Sequence, residues 1–179
     1  MEGMAQKIQL LNYYRAAELH GAELLQRLLH KSDDPDLQIA LTRQLADETR
    51  HVQLWTELIC ELGGVPAVIR KSDRQYVQWW AGRPTTVLEL LALIRVVEER
   101  LQHCYREHAA RRGEDARIVA VLRIIAADED WHLAGVRSCL AKQEKKEGRT
   151  RVQAALDHYW TLKTQVAVKS STAEEKALR

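Results

Sequence analysis

The sequence predicts an all-α protein, a four-helix bundle with one long crossover between its second and third helices and a short fifth helix at the C-terminus. Three observations lead there. Apolar residues recur at helical spacing through four long stretches. The three prolines, Pro35, Pro66 and Pro84, fall at boundaries of those stretches. The pattern Asp-Glu-x-x-His occurs twice, at Asp47-Glu48-Thr49-Arg50-His51 and at Asp128-Glu129-Asp130-Trp131-His132. Each copy follows a helix-like stretch that carries a glutamate on its apolar face, Glu18 in one case and Glu98 in the other.

The first helix is expected over about 5–30, where Ile8, Leu11, Tyr14, Glu18, Gly21, Ala22, Leu25 and Leu29 share one stripe. Ser32-Asp33-Asp34-Pro35 then supplies a turn and a cap, with proline at the first helical position. The second helix runs from about Pro35 through Leu41, Leu45, Glu48, His51, Trp55 and Leu58 to Leu62, and Gly63-Gly64 ends it. The stretch 65–84 is long for a connection in a bundle, and Ser72-Asp73 is expected to cap a short helix holding Tyr76, Trp79 and Trp80.

Thr86-x-x-Glu89 is a capping box that opens the third long helix, with Leu91, Ile94, Glu98, Leu101, Gln102 and Tyr105, up to Gly113. Asp115 starts the fourth, with Ile118, Leu122, Ile125, Glu129, His132, Val136 and Leu140. A shorter helix is expected over 152–162. The helical domain thus spans 5–165, with 166–179 a mobile tail. The order is hairpin, long crossover, hairpin, and Arg15-Ala16-Ala17-Glu18 matches Arg95-Val96-Val97-Glu98 as a weak internal repeat.

The bulk properties bound the function. The chain has 179 residues, 46% apolar and 29% charged, which describes one globular domain. A net charge of +2 gives no reason to expect nucleic acid or a membrane as partner. The basic cluster Lys142, Lys145, Lys146, Arg149 and Arg151 reads as a solvated linker. No apolar run approaches the roughly 20 residues of a membrane span, and the start of the chain lacks a signal-peptide pattern. Cys60, Cys104 and Cys139 are odd in number and far apart, against a disulfide framework. Together these lead to an expected cytoplasmic location.

Residues three apart on a helix differ by about 60° and rise about 4.5 Å, so Glu48 and His51 address one volume, as do Glu129 and His132. Glu18 and Glu98 share the faces of apolar neighbours; Glu99 lies instead with Arg95 and Arg106. Four carboxylates and two imidazoles on inward faces would repel and desolvate badly without a counter-charge, and two divalent ions supply it. Neutralisation by Arg15 and Arg95 is the competing solution, but it leaves the matched histidines unexplained. Oxygen and nitrogen ligands suit iron or manganese.

Asp47 and Asp128 are expected behind the histidines, each reaching across to the histidine of the other motif; a solvent-facing role is the alternative. Tyr14 and Tyr105 lie near the site as core aromatics or as carriers of oxidising equivalents. Gly21 gives either close helix packing or room for oxygen and an organic substrate.

On these residues the chain resembles the ferritin-like and rubrerythrin-like superfamily of dimetal carboxylate proteins. Glu18, Glu48, His51, Glu98, Glu129 and His132 match its Glu, Glu-x-x-His, Glu, Glu-x-x-His pattern over about residues 5–140. The resemblance implies two iron ions, with manganese or a mixed pair as alternatives. Glu18 and Glu98 would be terminal ligands and Glu48 and Glu129 bridges. Rubrerythrins place a further carboxylate where this chain has Gln102, which leaves Gln102 beside a possible substrate cavity. They also carry a cysteine-ligated iron site that has no counterpart here.

The function expected first is therefore a diiron oxidase or oxygenase that activates O2 against a small organic substrate, with electrons from a separate donor or from the substrate itself, and a homodimeric assembly. Two alternatives stand beside it: iron oxidation, storage or peroxide detoxification of the ferritin kind, and a non-catalytic helical interaction protein with a vestigial site.

Overall fold

The computed structural model describes residues 3–68 and 84–177, with side chains through residue 164, and holds five helices among these described residues. They are α1 (Met4–Lys31), α2 (Pro35–Glu61), α3 (Val87–Ala109), α4 (Ala116–Glu147) and α5 (Arg149–Ala177). The short helix expected around Tyr76, Trp79 and Trp80 lies outside the described residues; of the tail expected over 166–179, residues 166–177 continue α5 and 178–179 lie outside the described residues.

Local chemistry sets the helix ends. Asp34 Oδ1 accepts from the backbone N–H groups of Asp36 (3.0 Å) and Leu37 (3.3 Å), while Pro35 occupies a position that needs no donor. Thr86 and Glu89 form the reciprocal capping box, with Glu89 N donating to Thr86 Oγ1 at 3.2 Å and Thr86 N to Glu89 Oε2 at 2.9 Å. Helix α2 stops at Gly63, whose φ of 78° is in the left-handed region. Gly64 N then donates to Ile59 O at 2.8 Å and Gly63 N to Cys60 O at 2.9 Å, which closes the last carbonyls.

The cross-helix contacts fix the topology. Tyr14 meets His108 and Lys7 meets Glu114, so α1 and α3 run antiparallel. Asp36 meets Lys142 and Arg50 meets Asp128, so α2 and α4 do too. With α1–α2 and α3–α4 each joined by a short turn, α2 and α3 are parallel, so the end of α2 and the start of α3 lie at opposite ends of the bundle. Leu11, Leu25, Trp55, Leu91, Ile118 and Ile125 are among the fully enclosed residues of the shared core.

Two expectations need correction. The fifth helix is not short: it has 29 residues and continues well past Leu162. No glycine or proline follows Gly148 to end it, and Val152, Leu156 and Tyr159 anchor its first turns on the bundle. The basic stretch read as a linker is instead helical, the end of α4 and the start of α5, and at the end of α4 Lys145 and Lys146 complement the negative end of the helix dipole. Among the described residues, no helix is long and apolar enough to cross a membrane.

Candidate metal centre

Each of the four bundle helices delivers its share of the polar layer at mid-bundle. Glu18 comes from α1, Glu48 and His51 from α2, Glu98 from α3, and Glu129 and His132 from α4. All six are at most 3% exposed. Donor atoms of Glu18, Glu48, His51 and Glu129 lie within 4.8 Å of one another, and so do those of Glu48, Glu98, Glu129 and His132. Glu48 and Glu129 belong to both groups. The arrangement is two overlapping four-donor sets with two shared carboxylates.

The histidines point the same ring atom inward. His51 Nδ1 is 3.2 Å from Glu18 Oε2 and 3.8 Å from Glu129 Oε1. His132 Nδ1 is 3.4 Å from both Glu48 Oε1 and Glu129 Oε2. Their Nε2 atoms face outward to the crossed aspartates: His51 to Asp128 at 3.1 Å and His132 to Asp47 at 3.4 Å. A carboxylate accepting from Nε2–H turns Nδ1 of each ring to the interior, where His132 Nδ1 makes no hydrogen bond and His51 Nδ1 meets Glu18. Arg50, in the first motif, reaches Asp128 at 2.5 Å and Asp47 at 3.6 Å, so one guanidinium braces both aspartates.

Electrostatics divides the carboxylates. Burial, followed by the neighbouring charges of Glu98 and Glu18, pushes Glu48 well above the usual carboxylate range. Burial, with Glu98 and Glu48 nearby, does the same to Glu129. Burial also pushes Glu18 upward, but hydrogen bonding and charge from His51 outweigh it and hold Glu18 low. His51 is raised, because Glu18 and Asp128 together overcome the effect of its burial.

The buried polar atoms test whether a cation fits. Glu48 Oε1, both oxygens of Glu129 and Nδ1 of His132 are enclosed and make no hydrogen bond. Each such orphan costs about 1–3 kcal/mol in a folded protein. Four of them gathered at the overlap of two carboxylate and imidazole sets are acceptors that share one remedy, a positive ion. Their hard oxygen and imidazole chemistry suits divalent iron or manganese.

The remaining residues singled out in the sequence sit as follows. The Tyr105 hydroxyl donates to Glu18 Oε1. Tyr14 stands one layer further out, edge-on to Tyr105 with centroids 5.0 Å apart and hydrogen-bonded to His108 Nδ1 at 3.3 Å. Gly21 makes room for Glu48: a Cβ there would lie 3.1 Å from Glu48 Oε2. Its open space is thus taken by a carboxylate. Gln102 does not face a cavity at the centre; its Nε2 donates to Asp130 Oδ1 at 2.6 Å on the exposed side of α3.

Two participants escaped the sequence reading. Gln44, buried one turn before Glu48, donates to Glu98 Oε1 at 2.8 Å. Its i−4 spacing from Glu48 was the available signal. Arg50 carried none, because its partner Asp128 is distant in sequence.

No protein-family model and no curated protein matches the sequence. Solved structures do. The bundle is similar to a dodecameric thioferritin, the bacterioferritin-related protein from Bacteroides fragilis, with a TM-score of 0.68 over 81% of this chain and 90% of that one, at 20% identity. The chain has the ferritin-like fold. At that identity the likeness is one of architecture. The homodimer expected from the sequence is withdrawn, because the protein sharing this architecture is a dodecamer.

Proposed function

We propose that this protein oxidises ferrous iron at a dinuclear centre, in the manner of a ferritin-like iron-handling protein, with O2 or peroxide as electron acceptor. The observation that carries the reading is the pair of overlapping donor groups sharing Glu48 and Glu129, with Glu48 Oε1, both Glu129 oxygens and His132 Nδ1 left without hydrogen bonds. One ion would be held by Glu18, Glu48, His51 and Glu129, the other by Glu48, Glu98, Glu129 and His132. Iron is the substrate here, and bound ferrous ions supply the electrons that reduce the acceptor.

The chain's own residues do the rest. Asp128 and Asp47 accept from the histidine Nε2–H groups and keep Nδ1 turned inward. Tyr105 and Gln44 hold Glu18 and Glu98 in place. Leu25, Trp55, Leu91 and Ile125 around the layer keep bulk water away. Manganese, alone or paired with iron, satisfies the same donor chemistry. Cys60, Cys104 and Cys139 form no disulfide with one another, which suits a reducing cytoplasm.

Iron oxidation is preferred over oxygenation of an organic substrate because the space at Gly21, where such a substrate was expected, is filled by Glu48. The dodecameric neighbour favours an assembly larger than a dimer for this chain as well. The test is anaerobic loading with Fe(II) followed by O2 or H2O2, with metal analysis and solution mass measured in parallel. Two irons bound per chain and rapid formation of ferric iron support the proposal. A protein that binds iron but leaves it ferrous in the presence of both oxidants sinks it.

A further inference from the structure

Between the polar layer and the end of the bundle where α1 begins, three oxidisable rings touch one another inside the core. Tyr14, Trp55 and Tyr105 are at most 4% exposed. Ring centroids lie 5.0 Å apart for Tyr14 and Tyr105, 5.4 Å for Tyr14 and Trp55, and 6.0 Å for Trp55 and Tyr105. The cluster reaches the metal centre through the Tyr105 hydroxyl, which donates to Glu18. It reaches toward the surface through the partly buried Tyr13, edge-on to Tyr14 at 6.2 Å.

The three rings differ in where a proton can go. A phenol or indole that loses an electron also sheds its proton, so oxidation is easiest where a base already holds that hydrogen. Trp55 Nε1 is enclosed and makes no hydrogen bond. Tyr105 gives its hydrogen to Glu18, whose oxygens face the metal centre. Tyr14 instead meets a base outside that centre, its hydroxyl 3.3 Å from His108 Nδ1.

The surroundings of His108 suit it to that role. Its Nε2 lies 2.9 Å from Glu114 Oε2, and an ionised carboxylate can only accept, so Nε2 carries a hydrogen. Lys7 and the Asp115 backbone N–H hold the other oxygen of Glu114. Lys7 balances the charge of that carboxylate, so a neutral His108 completes the set, with Nδ1 accepting from Tyr14. A proton arriving at Nδ1 would find Glu114 behind the ring to stabilise the cation.

We propose that Tyr14 and His108 form a redox-active pair that supplies one electron to the metal centre when iron alone cannot complete the reduction of peroxide. The proposal rests on the iron-oxidising reading for its oxidant. Hydrogen peroxide takes two electrons to become two waters. A chain holding one ferrous ion gives one of them, and Tyr14 gives the other by way of Tyr105. The Tyr14 hydroxyl proton passes to His108 Nδ1, and solvent provides the two protons that complete the waters. The products are ferric iron, a neutral tyrosyl radical at Tyr14 and an imidazolium at His108. A soluble one-electron donor of the thiol or ascorbate class then restores Tyr14 through Tyr13, and His108 returns the proton. The pair thereby spares a half-loaded centre from releasing hydroxyl radical.

Two arms test this. In the first, metal-free protein is oxidised by flash-generated ruthenium(III) tris-bipyridine, and electron paramagnetic resonance reads the radicals. The longest-lived tyrosyl radical of wild type should be missing from Tyr14→Phe, which deletes a single oxygen in a retained ring. A positioned base is worth about 100-fold or more in a proton-transfer step. His108→Ala should therefore lower the yield of that radical at least about tenfold, and added imidazole should restore it. In the second arm, protein carrying one ferrous ion per chain receives H2O2 and is frozen. Wild type should show the same radical; Tyr14→Phe should lack it and release hydroxyl radical to a spin trap.

An undiminished radical in Tyr14→Phe, or in His108→Ala without imidazole, would overturn the pair. So would a His108→Ala yield that imidazole does not raise, since a merely structural histidine behaves that way. Ferric iron formed without a protein radical would overturn the link to the centre and leave the iron-oxidising reading intact. Iron that stays ferrous would overturn both, whatever the first arm shows.

Discussion

His51 and Asp128 meet at 3.1 Å, Nε2 to Oδ2, although they belong to different copies of the Asp-Glu-x-x-His motif. The reciprocal contact, His132 to Asp47, is 3.4 Å. Each motif therefore completes the other: its histidine serves its own helix pair, and its aspartate serves the histidine across the bundle. Arg50 binds Asp128 more closely than Asp47, which makes the His51 side the better braced of the two.

Removing the closer aspartate should cost metal affinity without disturbing the fold. Asp128 is partly exposed, so water can reach the space its carboxylate vacates beside His51 Nε2 in Asp128→Ala. Loss of a partner behind a metal-binding histidine typically costs about 10–100-fold in affinity. Asp47→Ala should cost less, in keeping with the longer contact. Cobalt isotherms on the two variants, with circular dichroism as a control, check the ranking; equal affinity to wild type in Asp128→Ala would rule out the proposed role.

Gly21→Ala should separate stability from metal binding. Alanine inside a helix is favoured over glycine by about 1 kcal/mol. The new Cβ, however, would press on Glu48 Oε2 from 3.1 Å and move that carboxylate by a few tenths of an ångström. The metal-free variant should melt no lower than wild type, while its affinity for both ions falls, since Glu48 is shared. Unchanged affinity would mean that Glu48 has slack at this point.

The bundle and its polar layer were legible because both rest on short-range periodicity. Glu48 and His51, or Glu129 and His132, need only helical spacing to face one volume, and the caps at Asp34, Thr86 and Asp115 announce themselves within four residues. The crossed aspartates were also legible, because two antiparallel motifs place each one opposite the other's histidine. Arg50, Gln44 and the outward turn of Gln102 were not, since each depends on a partner 28 to 78 residues away. The length of α5 was missed for another reason. Its sequence is a weak amphipath with no stop signal, and a missing terminator leaves little to read. Assembly is hardest of all, because it is decided by exposed faces that periodicity within one chain does not rank.

The cap at Asp115 gives a prediction far from the centre. Hydrogen bonds from the Arg117 side chain and backbone hold the Asp115 carboxyl down at about 2. A carboxyl lowered in the folded state contributes stability above its unfolded value near 3.8, and that contribution is lost as the pH falls toward 2. Asp115→Ala should therefore lower the melting temperature at neutral pH, by the roughly 1 kcal/mol of a lost cap, and the difference from wild type should vanish in strong acid. Melting curves across that range decide it.

The opposite sign applies at the heart of the bundle. Glu48 and Glu129 are raised well above the ordinary 4.5 by burial and by each other's neighbours, so the folded, metal-free protein holds protons that the unfolded chain releases. Stability carried by such groups is complete below 4.5 and declines as the pH climbs toward their folded values. His51, raised by Glu18 and Asp128, adds to the decline. Metal-free protein should thus melt lower at pH 8 than at pH 5.5, and saturating divalent metal should reverse the trend by binding the deprotonated carboxylates. Glu129→Gln removes one of the two protons at issue: it should flatten the pH dependence, raise the metal-free melting temperature at pH 8 and abolish tight binding of both ions. If that variant instead melted lower than wild type at pH 8 without metal, Glu129 would be a satisfied structural residue, and the cation reading would lose its main support.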